Sequence, residues 1–201
     1  MRPSDLRSRD LLSEYAAKSL VRVELFTRSY HVSGDVEVNR WRLADVLNDT
    51  VHPFVLMQHA VREPLVRNGS DELARAATIL QITKQAVIFA IPHEAPELAT
   101  ARQQYLAGLY AERRIAAATM LVPPFEIRGT VHLRRLSQVR QALEDIPAEF
   151  VPMTHVDVIY LPDPKLRFNA ELAVVNRPAA EIFSLASERS PESARGFRRD
   201  S

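Results

Sequence analysis

The amino-acid sequence predicts a mainly β fold with helices: an α+β chain of two tandem small β-barrel domains, made by internal duplication and joined by a helix. Three observations predict it. One phrase occurs twice, FVLMQHA at residues 54–60 and FVPMTHV at residues 150–156. Ahead of each copy stands an alternating stretch with a central glycine, YHVSGDVEV (30–38) and FEIRGTVHL (125–133). Between the copies lies a run of strong helix formers bracketed by prolines. Self-similarity that extends over most of a chain marks a duplication.

Residues 1–20 read as an N-terminal helical segment, with Leu12, Tyr15 and Ala16 at helical spacing. The first barrel repeat is expected over 21–93. Its first strand, VRVELFTR, sets Val21, Val23 and Leu25 on one side and forms a hairpin with YHVSGDVEV. The glycine-centred strands share a pattern of aromatic, any, apolar, any, Gly, any, Val, any, apolar. That is the period of a strand with one buried face. A glycine in mid-strand, Gly34 or Gly129, marks a bulge or a sharp bend.

Next, RWRLADVLND places Leu43, Val46 and Leu47 on one helical face, and RRLSQVRQALED places Leu136, Val139 and Leu143 likewise. The FVxMxH strand follows. Variable connections come after it, with turn signals at Asn68-Gly69 and Pro162-Asp163. Each copy closes with an alternating strand, a polar-basic pair (Thr83-Lys84, Asn176-Arg177) and a second short strand ending in Ile-Phe. The second repeat is expected over 121–187, with a fainter counterpart of the VRVELFTR strand around Ala118 to Val122. A unit this small gains by closing its sheet into a barrel, which removes exposed edges, and by packing against another copy.

The connecting helix is expected over 94–120, with its centre from Glu97 to Thr119. Pro92, Pro96, Pro123 and Pro124 set its limits. Leu98, Ala101, Tyr105, Leu109 and Ala116 share a face that braces the barrels or meets another chain. Leu98, Tyr105 and Leu109 are the candidate partner contacts. The tail 188–201 is polar with a basic end, Arg195, Phe197, Arg198 and Arg199, and its composition predicts disorder.

Apolar residues make up 46% and charged residues 25%, which are ordinary values for a chain with a buried core. A net charge of +1 argues against a protein built wholly around non-specific nucleic-acid binding. The lack of cysteine excludes a disulfide framework, a cysteine nucleophile and thiolate metal sites, and it suits the cytoplasm. The N-terminus has no apolar signal core, and no apolar run reaches the length of a membrane span. Glycine is scarce at 5, against glycine-rich phosphate loops. GxGxxG, P-loop and HExxH patterns and a nucleophile elbow are missing. The chain therefore reads as non-enzymatic, with no catalytic residue and no cofactor assigned.

His59 and His155 occupy equivalent strand positions, in phase with Val55 and Met57 or Val151 and Met153. Two readings apply: half-buried structural histidines, or weak candidates for a metal or small ligand. His31, His52, His93 and His132 have no counterparts in the other copy. Basic residues gather where strand meets helix: Arg40 and Arg42 around Trp41, then Arg134, Arg135 and Arg140. Such a group suits phosphate contact or base stacking, or else a solvated junction with Trp41 capping the barrel.

The order of elements and the phrase V-N-R-x-A-x-x-I resemble the Sm-like and SH3-like small barrels. Gly129, Asp157-Val158 and Asn176 to Ile182 stand where that family has its mid-strand Gly, later strand and closing phrase, and the first copy offers Gly34 and Thr83 to Ile88. A helix inserted after the Gly strand and the lack of a closing Arg-Gly depart from the family, so its RNA-binding residues are not carried over. RLADVLN, FVxM and VNR are also similar to an uncharacterised bacterial repeat domain. Three functions are expected. The first is a scaffold, adaptor or accessory subunit of a homo- or hetero-oligomeric complex, with protein partners. The others are a nucleic-acid binder using the arginine junctions and a ligand or metal sensor using the paired histidines.

Overall fold

Alternation of apolar and polar residues carries the described part of the chain through ten strands. A computed structural model describes residues 19–38, 42–66, 74–93, 113–134, 146 and 148–186. The first half holds β1 (Ser19–Phe26), β2 (Tyr30–Val38), a short helix α1 (Leu43–Asn48), β3 (Phe54–Pro64), β4 (Arg75–Thr83) and β5 (Phe89–His93). The second half holds β6 (Arg113–Val122), β7 (Phe125–Arg134), β8 (Phe150–Tyr160), β9 (Arg167–Asn176) and β10 (Ile182–Leu185). A single 3₁₀ turn follows β4 at Lys84–Ala86 and β9 at Arg177–Ala179.

The strands form one antiparallel sheet in the order β10-β6-β7-β8-β9-β5-β1-β2-β3-β4. The duplication is plain in this order, because β1 to β5 and β6 to β10 are wired alike. In the first half Val23 lies opposite Gly34, and in the second Ala118 lies opposite Gly129. The halves meet where β5 pairs with β9, Phe89 opposite Val175 and Ala90 opposite Val174.

Two separate closed barrels joined by a helix are therefore not what the chain builds. The edge strand of the first half is satisfied by the second half, and the result is a single open ten-stranded sheet. An unpaired strand edge is relieved equally well by a neighbouring repeat as by closure on itself. The helical share is also smaller than expected. Among the described residues α1 is the one α-helix. The helix expected in the second copy at Leu136, Val139 and Leu143 lies outside the described residues, as do the N-terminal segment before Ser19 and the tail.

The C-terminal part of the expected connecting helix is strand β6. Its ten residues pair with β7 from Arg113 opposite Arg134 to Val122 opposite Phe125. Ala116, Ala118, Met120 and Val122 are buried while Ile115 and Ala117 face out. The alanines hid this period of two, since Ala counts as a helix former by propensity, and pairing with β7 outweighs that preference. Pro123 and Pro124, taken as a helix limit, form the tight turn between β6 and β7. The remainder of the linker, with Leu98, Tyr105 and Leu109, lies outside the described residues.

Two clusters make the core, and each draws on both halves. One is built mainly on β6 to β9 but includes Phe26, Ile88, Phe89 and Ile91. The other is built mainly on β1 to β4 and α1 but includes Phe150 and Val174. At the joint Phe26 stacks on Phe89 with ring centres 4.3 Å apart, and Phe125 meets Phe89 edge-on at 5.1 Å. A buried Phe contributes about 1.5–3 kcal/mol, and aromatic pairing adds roughly 0.5–1.5 kcal/mol. The two halves are thus held by one shared aromatic core.

Candidate functional site

The repeated FVxMxH phrase folds into the same device twice. The pairing of β2 with β3 shifts between Ser33 and Asp35, and that of β7 with β8 between Arg128 and Thr130. Each shift is a bulge, with His59 or His155 as the extra residue. Their φ angles are +47° and +51°, in the left-handed region that non-glycine residues seldom adopt. Across from each lies the mid-strand glycine. A Cβ on Gly34 would sit 3.0 Å from Gln58 O and 3.1 Å from Met57 Cε. A Cβ on Gly129 would sit 3.0 Å from Thr154 O and 3.3 Å from Met153 Cε. The Met fills the space beneath the Gly, and the bulge beside it bends the strand.

The bulge also resets the phase of the strand. Val55 and Met57 are buried, but the next buried residue is Ala60, and in β8 burial passes from Met153 to Val156. His59 and His155 therefore face solvent, with side chains 69% and 75% exposed, and are not the half-buried strand histidines that simple alternation predicts. Their surroundings differ. His59 Nδ1 donates to Asp35 Oδ2 at 3.0 Å, and Arg22 Nη1 approaches Asp35 Oδ1 at 3.4 Å. The bond from His59 is the main influence holding the Asp35 carboxyl below its ordinary value; partial burial opposes it and Arg22 assists. Among the described residues His155 is accompanied by Glu171, whose carboxylate is 3.8 Å from Nε2. The second copy has Thr130 where the first has Asp35. Two equivalent chemical sites are not formed, and among the described residues no group of three or more His, Asp or Glu stands where it could hold a metal.

A polar cluster that the sequence reading did not connect lies on β1, β2 and β5. Glu24 takes His93 Nε2 on one oxygen at 2.8 Å and has His31 Nε2 2.9 Å from the other. The His31 approach is not aligned as a hydrogen bond. The ring of His31 stacks on Phe26 at 4.6 Å. The pairing of Phe26 with both His31 and Phe89 brings these distant histidines together, a relation invisible without the register.

The joint between the halves is polar as well as aromatic. Asn48, at the end of α1, donates from Nδ2 to Phe150 O at 2.9 Å and accepts from Phe150 N at 2.9 Å. Asn176, buried at the end of β9, donates from Nδ2 to Val87 O at 2.7 Å, and its amide donates to Ile88 O at 2.9 Å. Both sit in phrases the sequence reading singled out, RLADVLN and VNR, but as family marks and not as contacts. Lys84 in the polar-basic pair is buried. It donates to Asp49 O at 2.5 Å, just past the C-terminal end of α1. Burial pushes its ammonium below the usual lysine value.

Of the arginine candidates, Arg42 is described as the residue before α1. Arg134 ends β7, with its side chain outside the description. Arg40, Trp41, Arg135 and Arg140 lie outside the described residues. No shared basic surface is shown among them. No described helix is long and apolar enough to cross a membrane.

The outer edges of the sheet are the most distinctive surface. β4 ends one side and β10 the other. Ile79 on β4 is 65% exposed and Ile182 on β10 is 54% exposed. At the internal joint the counterpart of Ile182, Phe89, is fully buried, and the counterpart of Ile79, Leu172, is half-buried. Ile182 and Ile79 are thus more open at the two ends than their counterparts are at the internal joint.

Comparison with protein-family models, with curated proteins and with solved structures returns no match.

Proposed function

We propose that this protein is a non-enzymatic assembly subunit, a scaffold, adaptor or accessory chain that joins a homo- or hetero-oligomeric complex in the cytoplasm through the edges of its sheet. The observation that carries the reading is the edge-to-edge joint of β5 on β9, together with two further edges, β4 and β10, that leave Ile79 and Ile182 exposed. An exposed apolar edge strand is a template for another strand. Strand addition takes its affinity from main-chain hydrogen bonds and its specificity from alternate side chains.

The test is the mass and composition of the native complex, drawn from its source at moderate salt, by light scattering and mass spectrometry. A discrete assembly heavier than the 22.7 kDa chain supports the reading. A strictly single chain with no partner contradicts it.

A further inference from the structure

We propose that the partner at these edges is a second copy of this chain, docked head to tail, with β10 of one copy against β4 of the next. The inference rests on the assembly reading and names its partner. It follows from the internal joint, which already shows how one repeat receives another.

The equivalence of the strands is fixed by register. Leu25 faces Ala90 in the first half, and Met120 faces Phe183 in the second, so β10 stands in its repeat as β5 does in the other. Ile88 N donates to Phe26 O, and Glu181 N donates to Leu121 O in the same place. β4 and β9 correspond likewise. Thr83 precedes one 3₁₀ turn as Asn176 precedes the other, and the first amide of each turn returns to the chain just before β3 or β8, Lys84 N to Pro53 O and Arg177 N to Glu149 O. The Ile-Phe endings that align in the sequence are out of step by one in space. Ile182 corresponds to Phe89, not to Ile88.

The internal joint joins β5 of one repeat to β9 of the other. The two strands left over are β4, the counterpart of β9, and β10, the counterpart of β5. The chain therefore carries both halves of a second joint, one at each end. Repeating the internal register between copies sets Ile182 opposite Ile82 and Phe183 opposite Gln81, where the internal joint has Phe89 opposite Val175 and Ala90 opposite Val174. Continued two residues beyond the two pairs of the internal joint, the same register sets Leu185 opposite Ile79. Pairing along all four residues of β10, two more than the internal joint pairs, covers the exposed isoleucines of both edges, and the amide of Thr83 is brought to the carbonyl of Glu181 as Asn176 N is to Ile88 O.

Such a contact is heterologous. It uses a different surface on each partner, so it propagates until the rotation per copy closes a ring. The joint between copies is also weaker than the internal one. Thr83 replaces Asn176, whose side chain bonds Val87 O, and the four residues of β10 replace the five of β5. The internal joint additionally has the covalent link between repeats. Assembly is accordingly expected to depend on protein concentration.

The test uses the full chain and two single substitutions on exposed positions, Ile182→Lys to block one edge and Ile79→Lys to block the other. A charged edge residue opposes strand addition. The wild type is expected to form multiples of the 22.7 kDa chain, and each variant alone is expected to lose them while keeping its circular dichroism. Mixed in equal amounts, the two variants are expected to form a species of two chains and no larger, since each retains the edge the other lacks. A wild type that stays single at every concentration while a different protein binds it overturns self-pairing and leaves the assembly reading intact. A single chain with no partner overturns both. A multimer unchanged by either substitution overturns these edges as its contact.

Discussion

At the residue scale the central device is the Gly, Met and His set that the chain writes twice. Gly34 and Gly129 are required by close approach, since an added Cβ meets a backbone carbonyl at 3.0 Å in each. Gly34→Ala and Gly129→Ala should each cost about 1–3 kcal/mol through overpacking. At roughly 2–4 °C per kcal/mol for a chain of this size, thermal unfolding checks this, and an unchanged midpoint would count against the close approach. His155 carries left-handed strain with only a loose carboxylate partner. His155→Gly is expected to stabilise by up to ~1 kcal/mol, because Gly adopts that conformation freely, whereas His155→Val should lose more than ~1 kcal/mol, a β-branched residue being poorest there. Urea denaturation of the pair decides it, and equal stabilities would remove the strain. The doubled glycine, with its suggestion of a bulge, was legible in the sequence. The outward turn of the histidines was not, because the bulge adds one residue and so breaks the strand's period of two at that point.

The Asp35 carboxyl gives a pH dependence with a definite sign. Its folded value lies below the ordinary 3.8, so its contribution to stability is complete above that value and is lost as pH falls through the folded value. Asp49 behaves alike, held down first by the bond to His52 and then by Val51 N. Asp35→Asn should flatten the acid limb of stability against pH below about 4. A variant whose acid limb matches the wild type would show that Asp35 carries no linkage.

At the element scale, two asparagines tie the repeats together. Asn48 satisfies both backbone groups of Phe150 at the start of β8, and Asn176 reaches across the joint to Val87. Removing either leaves buried polar groups unpaired, at about 1–3 kcal/mol. Asn48→Ala and Asn176→Ala should each lower the urea midpoint accordingly, and neutral substitutions would show that the aromatic core alone holds the joint. Strands β2, β3, β7 and β8 were legible because Val, Phe, Met and Ile alternate strongly with polar residues. β6 was legible only at its end, around Ala118 to Val122, because Ala116, Ala117 and Ala118 carry little contrast between faces. The joint of β5 with β9 could not be read from periodicity, which reports the faces of a strand and not its neighbours.

At the scale of the whole molecule, one repeat finishes the sheet of the other, and the two outer edges of the sheet, β4 and β10, are unmatched in a complementary way. The duplication was legible in the sequence. Its consequence, an open sheet instead of two barrels, depends on which edge meets which, and that is settled by contacts between residues far apart in the chain. The proposed pairing of the Ile79 and Ile182 edges would extend the same pattern beyond one molecule.

The measurement that tests this most directly is hydrogen exchange on the native assembly, read at 79–83 on β4 and 182–185 on β10. The expected result is slow exchange at both edges, approaching that of β5 and β9, with fast exchange at both once dilution separates the chains. Fast exchange at both edges within the intact assembly would contradict the account, since the contact would then lie elsewhere.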